Sequence, residues 1–517
     1  MRPNCKLEER LQGLREERAT SPMSYWSEWW RTCDRLRNAV FAAVSRDSLK
    51  GKALKGGAWM GGGSVVEQVL RFARNILLAR VLAPADFGAM AIVLSVSSLL
   101  TSLSDVGMVP AVVQNPRGGE DAYLNAAWWI GMCRALCVYG VIFLAAPWIG
   151  RFYGGVDLPA LLRVSVLGTV FDAMMSPRAK LAQKEMRFGK LALFMNGGAI
   201  CGVLVTVALS LALRSVWGLA IGYCSESCFR CLFSYILYPG LSTLGWERHA
   251  FLELLRFSKG MIGLSFLNLV FARSDIFVIG KLYSHDQLGI YSMGVNLLLT
   301  PACFLITVLS STLMPILASV QKDGERMRRI VLAGTSWIIV LGLPAIVAVG
   351  LCGSSLLTIA YGKQYAAAAG ALAVAACVVF INVLNVIFTT LFFSIGRPEL
   401  HRRAVALSAV IMLVTIYPAV HWLGIVGGQI AALGAILGGY LLQVSRARKI
   451  VGRGIVRYAP VAIPVLVAVS LIVFAIVTAK SLGLAATPQR SISVALVACM
   501  VGYGVCLPTL AKFWDYR

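Results

Sequence analysis

Long apolar segments recur along almost the whole chain, and short polar loops separate them. A helix that crosses the hydrocarbon core of a bilayer needs about 20 mostly apolar residues. Two segments are ambiguous, because 158–176 is short and carries Arg163 and Asp172, and 288–318 is long enough to break at Pro301. The pattern predicts an all-α polytopic membrane protein with 12–14 transmembrane helices. The candidate spans are 59–80, 87–113, 124–149, 158–176, 191–213, 216–237, 259–281, 288–318, 330–357, 366–394, 404–420, 424–444, 459–479 and 491–511.

Lysine and arginine are distributed unevenly between the loops. Loops that follow even-numbered spans carry 21 of these residues, and loops that follow odd-numbered spans carry 8. Cytoplasmic loops of membrane proteins are enriched in lysine and arginine. We therefore expect both termini in the cytoplasm, with outside loops too short for an extracytoplasmic catalytic domain.

An internal repeat is visible in the sequence itself. RNILLARVLAPADFGAMA at 74–91 lies 201 residues before DIFVIGKLYSHDQLGIYS at 275–292, without gaps, and Gly88 corresponds to Gly289. Each copy opens a bundle of about six spans, and internal repeats are typical of secondary transporters. Because six is even, the repeat predicts two parallel-related six-helix lobes and two further C-terminal helices. The expected divisions are an N-lobe at 59–245, a C-lobe at 246–450 and the helix pair at 451–517.

The first 58 residues differ in composition and are expected to form a cytoplasmic extension. Trp26, Trp29, Leu36 and Val40 recur at helical spacing opposite charged residues. Tryptophan on the apolar face of such a helix favours the membrane interface, so an interfacial helix is one interpretation. The other is that translation begins at Met23 or later, and the sequence does not decide between them.

Composition excludes most soluble enzymes. Apolar residues make up 58% of the chain and charged residues 14%, against about 45–50% and about 25% in an average soluble domain. The formal net charge of +24 lies in loops and tails, where it fits the orientation of a membrane protein. Since no nucleic-acid-binding motif accompanies it, we expect no nucleic-acid partner.

Motifs for catalysis or cofactor binding are absent from the sequence. It contains no GxxxxGK[ST] phosphate loop, no GxSxG nucleophile turn and no HExxH zinc motif. Cys224, Cys228 and Cys231 share a helix face, but no histidine accompanies them, which favours packing over a metal site. The four histidines lie at membrane edges, where a solvated role is expected. We therefore expect no cofactor, no metal and no enzymatic activity.

Charged residues inside the apolar segments are the most informative polar feature. A charge at the bilayer centre costs about 2.5–3.5 kcal/mol on insertion scales, so such residues face a cavity or a partner. Glu67–Arg71 and Glu226–Arg230 are i, i+4 pairs that could merely neutralise each other. Arg71 and Arg74 are both expected near the middle of the first span. The ten residues are Glu67, Arg71, Arg74, Asp105, Arg134, Asp172, Glu226, Arg230, Arg273 and Asp275.

Five motifs distributed over much of the chain point to a known family. They are ARVLAPADFGAMAIV (79–93), SDVGMVPAVVQ (104–114), LLRFSKG followed by RSDIFVIGKLYSHDQLGIYSMG (254–294), LMPILASVQKDGERMRR (313–329) and SIGRPELHRR (394–403). In order and spacing they resemble the polysaccharide transport proteins of the multidrug/oligosaccharidyl-lipid/polysaccharide flippase superfamily. The resemblance covers roughly residues 55–450 and does not explain the N-terminal extension.

The resemblance implies a flippase for lipid-linked, undecaprenyl-pyrophosphate-type oligosaccharides in the bacterial cytoplasmic (inner) membrane. It implies a role in exopolysaccharide, capsule or lipopolysaccharide biosynthesis. It also implies two six-helix lobes around a central cleft that opens alternately to either side. The expected partners are the lipid-linked oligosaccharide and membrane lipids, together with polysaccharide polymerase and export proteins.

The intramembrane charges agree with this implication. Guanidinium groups bind phosphates by charge-assisted, often bidentate hydrogen bonds. The candidates for such a cationic cleft are Arg71, Arg74, Arg134 and Arg273. The candidates for charge balance or for a coupling ion are Glu67, Asp105, Asp172, Glu226 and Asp275.

Two other classes of function remain open at this stage. A cation-coupled multidrug or metabolite antiporter of the same superfamily would share the fold, but acidic residues would dominate its site. A membrane-embedded polysaccharide polymerase or transferase would need a large outside loop or a histidine constellation, and the sequence has neither.

Overall fold

The computed structural model describes residues 49–103, 119–155, 157–181, 188–240, 264–321, 323–451 and 487–515, together with 469–470, 472–476, 478–479 and 481. Every regular element in these ranges is helical. The predicted interfacial helix around Trp26 and the candidate Asp105 lie outside them. The helices are α1 (Leu49–Leu78), α2 (Pro84–Leu103), α3 (Asp121–Tyr153), α4 (Leu158–Met174), α5 (Phe188–Leu213), α6 (Val216–Leu237), α7 (Leu264–Leu282), α8 (His285–Ser319), α9 (Gly324–Ala360), α10 (Ala369–Ser394), α11 (Pro398–Leu423), α12 (Ile425–Val451) and α13 (Pro488–Asp515). Short 3₁₀ turns at Pro177–Lys180 and Lys363–Ala368 follow α4 and precede α10.

These thirteen helices follow thirteen of the fourteen predicted spans closely, with two differences, and most of the predicted span 459–479 lies outside the described residues. α1 begins at Leu49, ten residues before the predicted start, because apolar composition marks the part of a helix in hydrocarbon and not its end in water. α8 continues through Pro301 without the break that the sequence allowed. Proline is tolerated inside transmembrane helices when neighbouring groups satisfy the freed backbone.

The described helices form a polytopic membrane protein. Eight of them, α2, α3, α5 and α8–α12, are long and apolar enough to cross a bilayer. Of the others, α1, α6 and α7 carry intramembrane charges, α4 has 17 residues, and the described apolar part of α13 is short. Large apolar side chains lie on the outside of the bundle, among them Leu144 at 70% exposure and Trp422 at 78%. Such a surface fits contact with lipid.

The same pattern of neighbours occurs twice along the chain. In the first half α1 packs on α5, α5 on α6, α4 on both α3 and α6, and α2 on α4. Six helices later α7 packs on α11, α11 on α12, α10 on both α9 and α12, and α8 on α10. The repeat seen in the sequence therefore describes two equivalent groups of helices, α1–α6 and α7–α12. We call them the N-terminal and C-terminal halves. The exact boundaries predicted at 245 and 450 stay predictions, since residues 241–263 and 452–468 are not described.

The two halves meet through α2 and α8, with further contacts of α2 to α7 and of α8 to α1. An apolar core joins them at the end of the bundle that carries the α1–α2 and α7–α8 turns, called here the outer end. Leu78, Leu158, Tyr291 and Tyr361 in this core are at most 1% exposed. The charge distribution of the loops predicts that the outer end is extracytoplasmic.

Candidate functional site

Two acids and two arginines form one ion-pair network inside the N-terminal half. We call Glu67, Arg71, Glu226 and Arg230 the charged cluster. Arg71 pairs with Glu67 at 2.9 Å and also with Glu226. Arg230 pairs with Glu226 at 2.6 Å and with Glu67 at 3.6 Å. Each carboxylate therefore contacts both guanidinium groups, and the two i, i+4 pairs of the sequence are linked across α1 and α6.

Small residues on α5 allow this arrangement. A β-carbon at Gly198 would overlap the backbone and side chain of Arg230, and one at Gly202 would overlap the side chain of Glu226. The two glycines are one turn apart, so together they clear a groove into which α6 packs. Glu226 and Arg230 are thus held against α5 at their backbones while their charged ends reach α1.

The charged cluster lies deep in the membrane region. Glu67 precedes the end of α1 by 11 residues, or about 16 Å, and Glu226 follows the start of α6 by 10 residues, or about 15 Å. Both positions are roughly halfway across a hydrocarbon core about 30 Å thick. The side chains of Glu226 and Arg71 are 7% and 25% exposed. The four formal charges cancel, so the cluster is polar but neutral.

Arg74 differs from Arg71 in its partners and in its position. Its guanidinium lies 3.1 Å from the side-chain oxygen of the adjacent Asn75, and it makes no ion pair with any carboxylate among the described residues. The expectation that Arg74 lies near mid-span is wrong, because α1 ends at Leu78, four residues later, or about 6 Å away. Arg74 therefore lies between the charged cluster and the outer end.

The other charged candidates of the N-terminal half are separate from the ion pairs of the charged cluster. Asp172 at the end of α4 accepts a hydrogen bond from Ser227 of α6, next to Glu226 in the chain, and feels the charge of Arg230. Arg134 lies near the middle of α3. Its Nε is buried and has no hydrogen-bond partner among the described residues.

A second buried polar network occupies the C-terminal half. Asp275 of α7 accepts a hydrogen bond of 2.5 Å from the hydroxyl of Tyr291 on α8 and one of 2.8 Å from the backbone N–H of Ile276. The side-chain amide of Gln429 on α12 donates to the same Tyr291 oxygen at 2.7 Å. Asp275, Tyr291 and Gln429 are 9%, 1% and 4% exposed. Arg273 is half-buried and close enough to act on Asp275 by its charge.

Tyr291 and Gln429 were missed from the sequence. Both are neutral side chains within apolar helices, and only charged residues were used as a signal of buried function. Asp275 stands at the repeat position equivalent to Arg74, 201 residues earlier. The two halves thus place opposite charges at matched positions.

Comparison with known proteins identifies the family. The model of the polysaccharide biosynthesis protein family matches residues 77–370, more than half of the chain. The chain belongs to this family. The match begins at the end of α1 and runs into α10, so it includes the second copy of the repeat motif and all but the first three residues of the first copy.

Two characterised relatives are similar to this chain in sequence, at low identity. The lipopolysaccharide biosynthesis protein WzxC of Escherichia coli (strain K12) is 23% identical over 407 residues, which cover 77% of this chain and 80% of the relative. The succinoglycan biosynthesis transport protein ExoT of Rhizobium meliloti (strain 1021) is 24% identical over 297 residues, which cover 57% of this chain and 60% of the relative.

Two solved structures of other proteins have the same fold as this chain. The lipid II flippase MurJ, in an inward closed conformation, superposes with a TM-score of 0.72 over 88% of this chain and 98% of that chain, at 12% identity. An inward-facing multidrug resistance transporter of the MATE family superposes with a TM-score of 0.55 over 74% of this chain and 95% of that chain, at 16% identity. The chain therefore has the transporter fold that these proteins share.

Proposed function

We propose that the chain is a flippase for lipid-linked oligosaccharide repeat units of the undecaprenyl-pyrophosphate type. It acts in the bacterial inner membrane with both termini in the cytoplasm, and it serves exopolysaccharide, capsule or lipopolysaccharide biosynthesis. The names of the relatives, which concern lipopolysaccharide and succinoglycan, support the class of substrate. The fold shared with a lipid II flippase supports the type of transport. The chain makes and breaks no covalent bond, and it passes its cargo to polysaccharide polymerase and export proteins.

The proposal rests on the small number of hydrogen-bond partners that the described residues offer to Arg74. Its guanidinium has five N–H donors, and the described residues offer it only the side-chain oxygen of Asn75. A guanidinium without a carboxylate is costly in a membrane protein unless an anion completes its contacts. The pyrophosphate of a lipid carrier supplies such an anion and fits the guanidinium in a bidentate manner.

Roles follow for the other charged residues. Arg71 serves the charged cluster, because Glu67 and Glu226 already satisfy it. Arg134 and Arg273 join Arg74 as phosphate anchors, since neither makes an ion pair among the described residues. Glu67, Glu226 and Asp172 balance charge, and Asp275 is the acid that responds to a coupling ion.

A transport cycle follows from these roles and from the division of the fold into two equivalent halves. The phosphates and sugars enter between the halves and are held at the arginines, while the lipid tail stays in the bilayer. Closing one end and opening the other then moves the polar head across hydrocarbon. The charged cluster, whose four formal charges cancel, keeps the path polar without trapping the anion.

Deletion of the gene from its host, followed by complementation, tests the proposal. Loss of exported polymer and accumulation of lipid-linked repeat units are expected on deletion, and the unchanged gene should restore export. The Arg74→Ala variant should reach the membrane normally and fail to restore export. The Arg74→Lys variant should restore it partly, because lysine keeps the charge and loses the bidentate geometry.

Arg326→Ala is the matched control, because Arg326 is 72% exposed and its one ion pair among the described residues is with the nearby Asp323. It should restore export fully. Normal export from the deletion strain, or a gain of sensitivity to cationic drugs in its place, would contradict the flippase and favour an antiporter.

A further inference from the structure

A cavity of about 260 Å³ lies inside the C-terminal half, enclosed by α7, α8, α10, α11 and α12. Among the described residues, no Asp, Glu, Lys or Arg lines it. Its polar lining consists of uncharged side chains that both donate and accept hydrogen bonds. These include Asn268, Asn382, Asn385, Thr389, His401 and Gln443.

Two acceptors in this lining have no partner among the described residues. The side-chain oxygens of Asn385 and Gln443 are buried and form no hydrogen bond with the described residues. Gln443 as a whole is only 3% exposed. An unsatisfied buried acceptor costs about 1–3 kcal/mol, so two of them in one cavity indicate a ligand that donates hydrogen bonds there.

His401 and Thr389 are already oriented toward each other. The Nδ1 atom of His401 lies 3.2 Å from the hydroxyl of Thr389, and the ring of Phe393 lies 5.9 Å from the His401 ring. The sequence predicted a solvated role for this histidine at a membrane edge. The structure instead places it in the cavity wall, where its Nε2 atom is the ring nitrogen left for a ligand.

The size and character of the cavity restrict the ligand. The volume corresponds to roughly nine water molecules at about 30 Å³ each, which suits one sugar ring and not a chain of sugars. Phe271 and Ile306 add apolar surface for the C–H face of such a ring. The described lining offers amide, hydroxyl and imidazole groups and no charged carboxylate, ammonium or guanidinium group, which suits an uncharged ligand that donates and accepts hydrogen bonds.

The location of the cavity fits a role in transport. Two of its walls, α7 and α8, are also the helices through which the C-terminal half contacts α1 and α2. Asn268 is four residues from the start of α7 and Ser310 is 25 residues from the start of α8, so the cavity lies toward the end of the half that is opposite the outer end. In contrast to the arginines of the N-terminal half, the cavity offers hydrogen bonds without charge.

We propose that this cavity binds one uncharged sugar ring of the lipid-linked head group, while the arginines hold the phosphates. The inference rests on the proposed flippase function and adds a subsite to it. Asn385 and Gln443 accept hydrogen bonds from sugar hydroxyls, and His401 and Thr389 complete the polar wall.

Protection of a cysteine in the cavity tests the proposal with the natural substrate. Ser310, which lines the cavity, is replaced by cysteine in a chain whose own cysteines are replaced by serine or alanine. The rate of reaction with N-ethylmaleimide is compared in two kinds of membrane. One comes from cells that make the lipid-linked oligosaccharide, and the other from cells that lack the transferase adding the first sugar.

Substrate should slow the labelling of Ser310→Cys by about threefold when its concentration is twice the Kd. Ser445→Cys, on the exposed side of α12 close to Gln443, should react at the same rate in both membranes. Adding Gln443→Leu or Asn385→Leu should weaken binding by about tenfold, the equivalent of about 1.4 kcal/mol, and so abolish the protection. Two variants are used so that a failure of one to fold leaves the other as the test.

Equal labelling of Ser310→Cys in the two membranes would overturn the sugar subsite. So would protection that survives both leucine substitutions. Protection by sodium chloride alone, in membranes without lipid-linked sugar, would assign the cavity to a cation. If export depends on the gene and labelling is unchanged, only the subsite fails; if export does not depend on the gene, the proposed function fails.

Discussion

Gly88 and Gly289, which are equivalent in the internal repeat, pack against each other where α2 and α8 cross. A β-carbon at Gly88 would overlap the backbone carbonyl of His285, and one at Gly289 would overlap the backbone carbonyl of Pro84. Since His285 also follows Pro84 by 201 residues, the two contacts are related by the symmetry of the repeat. The equivalent helices of the two halves thus contact each other reciprocally at the outer end.

Adding a methyl group at this crossing should separate the outer ends of the halves. The Gly88→Ala and Gly289→Ala variants should each lose most polymer export, because the overlapping atoms are backbone and cannot rotate away. Export in the deletion strain is the measurement. Gly140→Ala on α3, where nothing lies within 4 Å of the added carbon, should export normally; export by Gly88→Ala equal to that control would show that the close crossing is dispensable.

Two basic residues flank the glycine crossing in the same symmetric manner. Arg80 lies in the turn after α1, within the first copy of the repeat motif, and donates to the backbone oxygen of Ile359 at 2.7 Å. Lys281, 201 residues later, donates to the backbone oxygen of Phe152 at 2.7 Å and lies 4.1 Å from its ring centroid. Each joins one half to the other, Arg80 from the α1–α2 turn to α9 and Lys281 from α7 to α3.

Removal of both basic residues should favour opening of the outer end. In an Arg80→Ala/Lys281→Ala chain, the fully buried Ala368 replaced by cysteine should react faster with a membrane-impermeant thiol reagent added from outside. The increase should be about tenfold if the two bonds together contribute about 1.4 kcal/mol. Lys363→Ala, an exposed lysine of the same end, should leave the rate unchanged. An unchanged rate in the double variant would mean that these bonds do not hold the end closed.

The charged cluster makes a prediction about stability. Glu67→Ala or Arg71→Ala alone leaves one uncompensated charge in the membrane, which should lower the free energy of unfolding by about 3 kcal/mol. The Glu67→Ala/Arg71→Ala double variant keeps the Glu226–Arg230 pair at 2.6 Å and should recover much of the loss. Thermal unfolding of the purified protein measures this, and strictly additive losses would refute the network.

The hydroxyl of Tyr291 should stabilise the protein, because it links Asp275 and Gln429. Tyr291→Phe removes the donor to Asp275 and the acceptor of Gln429, so it should lower the free energy of unfolding by about 1–3 kcal/mol. Tyr361→Phe is a matched control, because Tyr361 is 1% exposed and its hydroxyl has no partner among the described residues. Thermal unfolding should separate the two variants. Equal stability would show that the Tyr291 hydroxyl contributes nothing.

Hydropathy and the repeat predicted most of the fold. Apolar length predicted the order of the described helices, and the repeat predicted that the segments around Gly88 and Gly289 are equivalent. Their contact with each other was not predicted. The start of α1 at Leu49 was not predictable in this way, because residues such as Lys50 and Lys52 continue a helix outside hydrocarbon without any apolar signal.

The candidate site was predicted less completely. Charge in apolar segments singled out Arg71 and Glu226, but their contact joins residues 155 positions apart, which no helical spacing reveals. The sequence also treated Arg71 and Arg74 alike, and only the packing of α6 separates the paired arginine from the unpaired one. The amides of the C-terminal cavity carry no charge, so neither hydropathy nor charge marks them.

Transport in purified proteoliposomes tests the flippase most directly. The protein is reconstituted with undecaprenyl-pyrophosphate-linked oligosaccharide isolated from its own host, and membrane-impermeant periodate oxidises the sugars in the outer leaflet. With the unchanged protein, the accessible fraction should rise with time until nearly all of the sugar reacts, and with Arg74→Ala it should stay at the level of protein-free liposomes. An accessible fraction that stays at that level with the unchanged protein would contradict the flippase.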